Sequence, residues 1–450
     1  ASFPFDIKLD GRVARNGHGM RNETYDEHYI NSVTALGDTH EIVTTQAVFT
    51  RNGIKLIDQG TRINSALRDK LVQHKLIPSI DECLSVANGV TNANLRTRAR
   101  EILDSEPRFR LIRSALPGVE RLLNAFFAMP INEALAFKLT VAREQRPDVF
   151  EHSIQIALIA LFLAIKSRLP ERDLATVAAA GMLHDIGVLH IDPALLQPGH
   201  RLDAEELRHV YAHPMTAYLI LQTFPQFHPE ISTAVFEHHE RLDGSGYPRG
   251  LKGEEISRLG QILILAEAVT TLFEKSWHMH GASRLSVMLK MNRRKFDREL
   301  IGHLANLLQN GAAPETNDLG EASATTVVTQ LDQLAEVFRF WRSAHQACAV
   351  ESPRSAESPL VTFVDRRLAD LERTLLETGF QPDELAALTA VIEDDAAALA
   401  EVRLMACESR KQVGDILNEV RRRWTELPSD ESGRAIVEDW GRYSDTFLKA

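Results

Sequence analysis

The spacing of apolar positions changes along the chain, and the change divides it into regions. From Glu41 to Phe49 the residues are rich in Val, Ile and Thr, and Asn52-Gly53 then precedes Ile54-Lys55-Leu56-Ile57. An Asn-Gly pair between such runs is a strong hairpin signal, so a small β element is predicted here. After Gln59-Gly60, the spacing of Ile63, Leu67, Leu71 and Val72 suits a helix, and helical patterns continue through Leu122 and Phe126 toward Leu139. Residues 1–80 therefore read as a small α+β domain and residues 81–144 as a helical connector.

Residues 145–308 read as consecutive helices of about 10–18 residues, several with legible starts. Asp203 followed by Glu206 forms a capping-box pattern, Pro229 suits a first helical position, and Ser257 can cap the segment from Leu263 to Phe273. Turn clusters separate these helices at Asp192-Pro193, Gln197-Pro198-Gly199 and Asp243-Gly244-Ser245-Gly246. Polar breaks at Gly311–Asn317 and Glu351–Pro359 bracket a helix carrying Leu331, Leu334, Val337 and Phe338. Two more stripes follow, Leu368-Leu371-Leu375 and Leu385-Leu388-Ile392-Leu399-Val402. A helical bundle is the expectation for 318–450.

Length and charge narrow the function classes. At 450 residues the chain is long enough for two or three domains of about 150 residues. Lys plus Arg number 51 against 62 Asp plus Glu, a net charge of −11, so no general grip on a DNA or RNA duplex is expected. Three distant cysteines, Cys83, Cys348 and Cys407, argue against a disulfide framework or thiolate cluster and fit a reducing cytoplasm. The longest apolar run, Ile156 to Ile165, falls short of the roughly 18 residues of a membrane span. The start, Ala1 to Asp6, lacks the basic flank and apolar stretch of a signal peptide. A cytoplasmic protein without a membrane span is the expectation.

Histidines crowd into one stretch: His184, His190, His200, His209, His213, His228, His238 and His239. Any one of them in a helix is more often a hydrogen-bonded core or surface residue than a ligand. Adjacent residues on a helix point about 100° apart, so His184-Asp185 and His238-His239 can each aim two donors at a shared site. With His152 and His213 these residues come from four predicted helices. Nitrogen and oxygen donors suit iron, manganese or zinc, and a bridging carboxylate such as Asp185 can hold two cations together. Such a pair lowers the pKa of a shared water and clamps a phosphoryl oxygen, as in-line phosphodiester hydrolysis requires.

Two strings make the pattern specific. Leu183-His184-Asp185-Ile186-Gly187, followed by His238-His239-Glu240-Arg241-Leu242-Asp243-Gly244-Ser245-Gly246-Tyr247-Pro248, resembles the HD-GYP subgroup of HD-domain phosphohydrolases. The similarity runs from about Asp148 to Lys295-Phe296-Asp297 and the helix after it. It implies a mainly α fold, an all-helical metal-dependent phosphohydrolase domain that hydrolyses cyclic di-GMP to pGpG or GMP with two or three divalent ions. Carried over residue by residue, His152, His184, Asp185, His213, His238, His239 and Glu267 become metal ligands, with His184 and Asp185 at the catalytic heart. Asp148, one helical turn before His152, matches the carboxylate of members with a third metal. Arg241, Gly246, Tyr247, Pro248 and Lys275 fall where substrate is bound. Asn52-Gly53-Ile54 to Gly60-Thr61 resembles the small accessory domains that often precede this family.

The sequence departs from the family mainly on the substrate side. Val188 replaces the lysine after His-Asp-Ile-Gly, which removes a cation where charge develops. Glu267 replaces the last ligand aspartate, Val269-Thr270-Thr271-Leu272 replaces Tyr-Asp-Ala-Leu, and Lys275-Ser276-Trp277-His278-Met279 replaces a basic Arg-Pro-Tyr-Arg stretch. His190 and His200 are candidates to compensate. Besides a cyclic di-GMP phosphodiesterase, two readings stay open: a degenerate domain that binds nucleotide or protein partners without efficient turnover, and another HD-class phosphohydrolase. A homodimer is a further expectation.

Overall fold

In the computed structural model, the residues described are 27–116, 118–197, 199–200, 202–276, 281–311, 324–378 and 396–449. They fall into two compact units, one within residues 23–318 and the other containing 319–450. Pro198, Trp277, His278, Met279, the stretch 312–317 and the stripe residues Leu385, Leu388 and Ile392 lie outside the described residues.

The first unit opens with helix α1 (Glu27–Thr39), followed by β1 (Ile42–Thr44), β2 (Val48–Thr50) and β3 (Lys55–Ile57). The hairpin expected around Asn52-Gly53 is the antiparallel β2–β3 pair, with Gly53 at φ +79°, the left-handed backbone such a turn demands. The helix expected from Ile63 is shorter than the apolar spacing indicates. Ile63 is extended and its N–H donates to the Ile42 carbonyl, while the Asn64 side chain caps the Ala66 N–H, so the helical turns begin only at Ser65. They end in α2 (Arg68–Val72). Beyond it, β4 (Leu76–Ile77) joins β2, and β5 (Leu84–Val86) pairs with β1. Both are too short to show alternation.

Helices α3 (Asn92–Ser105), α4 (Pro107–Ala115), α5 (Val119–Phe127) and α6 (Glu133–Gln145) lead to α7 (Pro147–Lys166), α8 (Glu171–Leu183), α9 (Ala204–Tyr211), α10 (His213–Gln222), α11 (Pro229–Glu237), α12 (Arg258–Ser276), α13 (Gly281–Met291) and α14 (Arg298–Gly311). The starts read from sequence are present: the Asp203–Glu206 capping box, Pro229 at the first position of α11, and the Ser257 hydroxyl accepting from the Gly260 N–H. Helix α7 is apolar nearly all round and lies at the centre, packed by α6, α8 and α12, with Ile156 to Ala164 wholly buried. By length and composition α7 could cross a membrane, with a mean hydropathy of 1.7, so the short apolar run understated it. Yet 78% of that window is buried inside the fold, which is the environment of a core helix.

The second unit is helical throughout its described part: α15 (Ala324–Glu351), the short α16 (Pro353–Ala356), α17 (Pro359–Glu377), α18 (Ala396–Arg423) and α19 (Glu431–Lys449). Leu331, Leu334, Val337 and Phe338 face inward together with Leu368, Leu371 and Leu375. Trp341 meets Trp440 edge-on at 5.7 Å between centroids and donates its ring N–H to Asp365 at 3.0 Å. Pairing the indole N–H lets so large a ring be buried without an orphaned donor.

Candidate metal centre

Helix ends converge beside α7 and α12. His152 lies in the first half of α7, His184 closes α8, His213 opens α10, His238 and His239 follow α11, and Glu267 sits in the middle of α12. The last carbonyls of a helix lack intrahelical donors. Three of the histidines use them: Nδ1 of His184 donates to the Gly181 carbonyl at 2.8 Å, Nδ1 of His213 to Val210 at 2.7 Å, and Nδ1 of His238 to Val235 at 2.5 Å. A carbonyl only accepts, so each Nδ1 carries the proton and each Nε2 presents a lone pair to the centre.

Asp185 joins two donor sets. One comprises His152, His184 and Asp185; the other comprises Asp185, His213, His238 and His239; within each set the donor atoms lie within 4.8 Å of one another. Asp185 Oδ2 is 3.4 Å from His184 Nε2, and Oδ1 is 3.2 Å from His213 Nε2 and 3.6 Å from His238 Nε2. Glu267 Oε2 lies 3.1 Å from His152 Nε2 and 3.6 Å from His184 Nε2. The arrangement fits cations on two grounds. His184 Nε2 and Asp185 Oδ1 are buried with no hydrogen-bond partner, although buried polar atoms are almost always paired. The all-nitrogen and oxygen donor set also suits iron, manganese or zinc.

Electrostatics point the same way. Burial alone would push the carboxyl pKa values of Asp185 and Glu267 up, but the neighbouring histidines, His184 foremost for Asp185 and His152 for Glu267, hold both well below the usual range. Burial, with the adjacent His184 and His213, lowers His238; burial, with His238 and His213, holds His239 well below the ordinary histidine value. Burial opposes a charge on His152 and His184 too, yet Glu267 and Glu274 raise the former and Asp185 and Glu267 the latter. Ionised carboxylates therefore face two rings held toward the neutral form, His238 and His239, and two held toward the charged form, His152 and His184. Acids this strongly favoured as anions suit a site for positive charge.

Two buried acids that the sequence reading passed over shape the loop after His239. Glu240 accepts from the Arg249 N–H at 2.7 Å and the Leu251 N–H at 3.0 Å. Glu237 accepts from the Ser257 N–H and hydroxyl at 3.0 and 2.6 Å and pairs with the Arg249 guanidinium at 2.9 Å. Tyr247 is thereby laid on His239, with ring centroids 4.7 Å apart, and against Tyr211 at 4.1 Å and 4°. Gly246 passes so close to the preceding turn that a Cβ there would stand 2.3 Å from Glu240 Cα. Gly187 is under the same constraint, since its Cβ would meet the His213 carbonyl oxygen at 2.2 Å and the Ala217 nitrogen at 2.8 Å. Gly187→Ala should therefore cost about 1–3 kcal/mol by forcing 186–190 away from α10, and it should weaken metal retention because Asp185 moves with that turn. Thermal melts beside metal analysis check this; an unchanged melting point and metal content would contradict it.

Not every candidate joins the centre. Asp148 is 66% exposed, and its carboxylate is held by Arg146 at 2.9 and 3.1 Å, outside both donor sets. Arg146 immediately precedes the helix, so its guanidinium reaches the carboxylate two residues on. His190 stacks on Tyr29 at 4.9 Å, and His200 pairs with Glu206 at 3.2 Å. Arg241 donates to the Glu240 carbonyl at 2.7 Å, with its guanidinium 5.9 Å from the Phe296 ring centre. Pro248 is half-buried in the Gly246–Pro248 loop. Lys275 lies in the last turn of α12, and its side chain is outside the described residues.

An HD domain profile matches residues 137–300, the stretch that carries every donor of both sets. Those residues are an HD domain. Relatives of this domain include a cyclic di-GMP phosphodiesterase of Pseudomonas aeruginosa, 33% identical over 154 residues, covering 32% of this chain and 37% of that one. A 3'3'-cGAMP-specific phosphodiesterase of Vibrio cholerae is 28% identical over 209 residues, 45% of each chain. A cyclic di-GMP phosphodiesterase response regulator of Xanthomonas campestris is 31% identical over 153 residues, 32% of this chain and 40% of that one. The chain thus spans under half the length of these relatives. A solved HDG"Y"P protein of Bdellovibrio bacteriovorus superposes on 59% of this chain and 95% of its own with a TM-score of 0.35 at 16% identity.

Proposed function

We propose that the HD domain hydrolyses cyclic di-GMP to pGpG or GMP with two divalent cations, iron or manganese in preference to zinc. One observation supports this above the others: Asp185 belongs to both donor sets and keeps a buried oxygen without a hydrogen-bond partner. When bound, such a pair of cations acidifies a water and offsets charge on a phosphoryl oxygen. His152, His184, Asp185 and Glu267 would hold one, and Asp185, His213, His238 and His239 the other. The Glu240 clamp and the Tyr247 stack keep the His239 ring in place, and the Gly246–Pro248 loop walls the mouth. Arg241 and Lys275 are assigned to the substrate phosphates. In this reading 145–308 is the catalytic domain, 1–80 an accessory domain, 81–144 a connector and 318–450 a helical bundle, in a cytoplasmic homodimer whose helix α7 stays in the core.

Incubation of the manganese- or iron-loaded chain with cyclic di-GMP, 3'3'-cGAMP, a nucleoside triphosphate and a generic phosphodiester tests the substrate class. Cyclic di-GMP should be cleaved fastest. Faster turnover of 3'3'-cGAMP would move the specificity, and preference for the triphosphate would overturn a cyclic dinucleotide substrate. One feature favours a second reading, binding without efficient turnover: Val188, an apolar buried residue, stands beside the donors where a cation would help a phosphate. Calorimetry separates the two, since nucleotide affinity with no product supports binding alone and efficient turnover excludes it.

A further inference from the structure

Glu274 lies seven residues after Glu267 on α12, a spacing that returns to the same helix face after two turns. Both carboxylates therefore meet His152, from its two sides: Glu267 Oε2 is 3.1 Å from Nε2, and Glu274 Oε1 is 2.9 Å from Nδ1. The other inward histidines that donate from Nδ1 do so to carbonyls in the last turn of a helix that ends at or just before them: α8 for His184, α9 for His213 and α11 for His238. His152 has no such carbonyl, because it sits in the first half of α7, whose own ladder uses those carbonyls. Glu274 supplies the missing acceptor. Meanwhile Asp148, the carboxylate one turn before His152, faces away and is engaged by Arg146.

We propose that Glu274 is a positioning residue that fixes the tautomer and ring angle of His152, and that the centre accordingly holds two cations, with Asp148 taking no part. The assignment rests on the metal-centre reading above. A metal-binding imidazole whose far nitrogen donates to a carboxylate is held in one orientation and is more basic, and losing such a partner weakens metal affinity about 10–100-fold. The effect should be confined to the cation served by His152, because the donor set of Asp185, His213, His238 and His239 contains neither His152 nor any atom bonded to Glu274.

The test is stepwise removal of the two ions from the full chain by a competing chelator, monitored by elemental analysis and by the absorption spectrum of a cobalt-substituted sample. In Glu274→Ala one ion should be lost about 10–100-fold more readily and the other unchanged. Glu274→Gln, whose amide oxygen still accepts from Nδ1, should recover most of that affinity, and Asp148→Asn should alter neither ion. The assignment is overturned if Glu274→Ala leaves both ions untouched, if it loosens both equally as a general structural defect would, or if Asp148→Asn removes an ion. A wild-type chain that takes up no cation at all sinks the centre and this assignment with it, a result distinct from the failure of Glu274 alone.

Discussion

Asp185→Ala should take the chain from two bound cations to well under one and cut phosphodiester hydrolysis by at least about 10³-fold, with helix content unchanged. Asp185 is the single residue common to both donor sets, and its two oxygens face His184 on one side and His213 with His238 on the other. Removing it takes away the shared anion, so one group is left with imidazoles alone and the other with Glu267 as its one carboxylate, too little negative charge to hold two cations side by side. The fold does not depend on it, because α8 ends at Leu183 and the 3-10 turn that follows packs on α10, with Ile186 and Leu189 buried in the core. His239→Ala, in one set only, should release one ion and keep the other. Metal analysis, circular dichroism and a product assay on the same samples check these outcomes, and full metal occupancy in Asp185→Ala would contradict them.

The second large effect lies in stability. Lys138 is 2% exposed and pairs at 2.8 Å with Asp81, itself 8% exposed. The Tyr29 hydroxyl donates to the same carboxylate, and the Lys138 ammonium sits 3.4 Å above the Tyr29 ring centre. Helix α1, the turn at 80–82 and α6 are therefore joined through one buried ion pair. Lys138→Met removes the cation and strands a carboxylate in the core, which should cost about 3–5 kcal/mol in chemical denaturation. Lys138→Met with Asp81→Asn should recover part of that loss, because no uncompensated charge is left behind. A single variant as stable as the wild type would show that Asp81 is rescued by water or by protonation.

Much of this architecture was legible because local chemistry dictated it. Asn52-Gly53 forces the hairpin backbone, Asp203 and Glu206 cap one helix, Pro229 starts another, and the adjacent pairs His184-Asp185 and His238-His239 fan their donors into one space. What escaped depended on tertiary contact. The apolar spacing from Ile63 to Val72 mimics a helix, but the backbone of Ile63 is already committed to Ile42. Lys138 interrupts an otherwise apolar helix face, and nothing near it in sequence reveals a partner 57 positions away at Asp81. Asp148 has the right helical spacing for a ligand, yet spacing cannot reveal that Arg146 has captured it. Glu274 carried a usable signal, its seven-residue distance from Glu267, whereas Glu237 and Glu240 looked like ordinary polar neighbours of the paired histidines.

The most direct measurement is anomalous X-ray diffraction at the iron or manganese edge from crystals of the reconstituted chain. Two peaks should flank the Asp185 carboxylate, one within ligand distance of His152 and His184, the other of His213, His238 and His239. An absence of anomalous density beside Asp185, or density only at sites remote from these side chains, would contradict a shared cation centre.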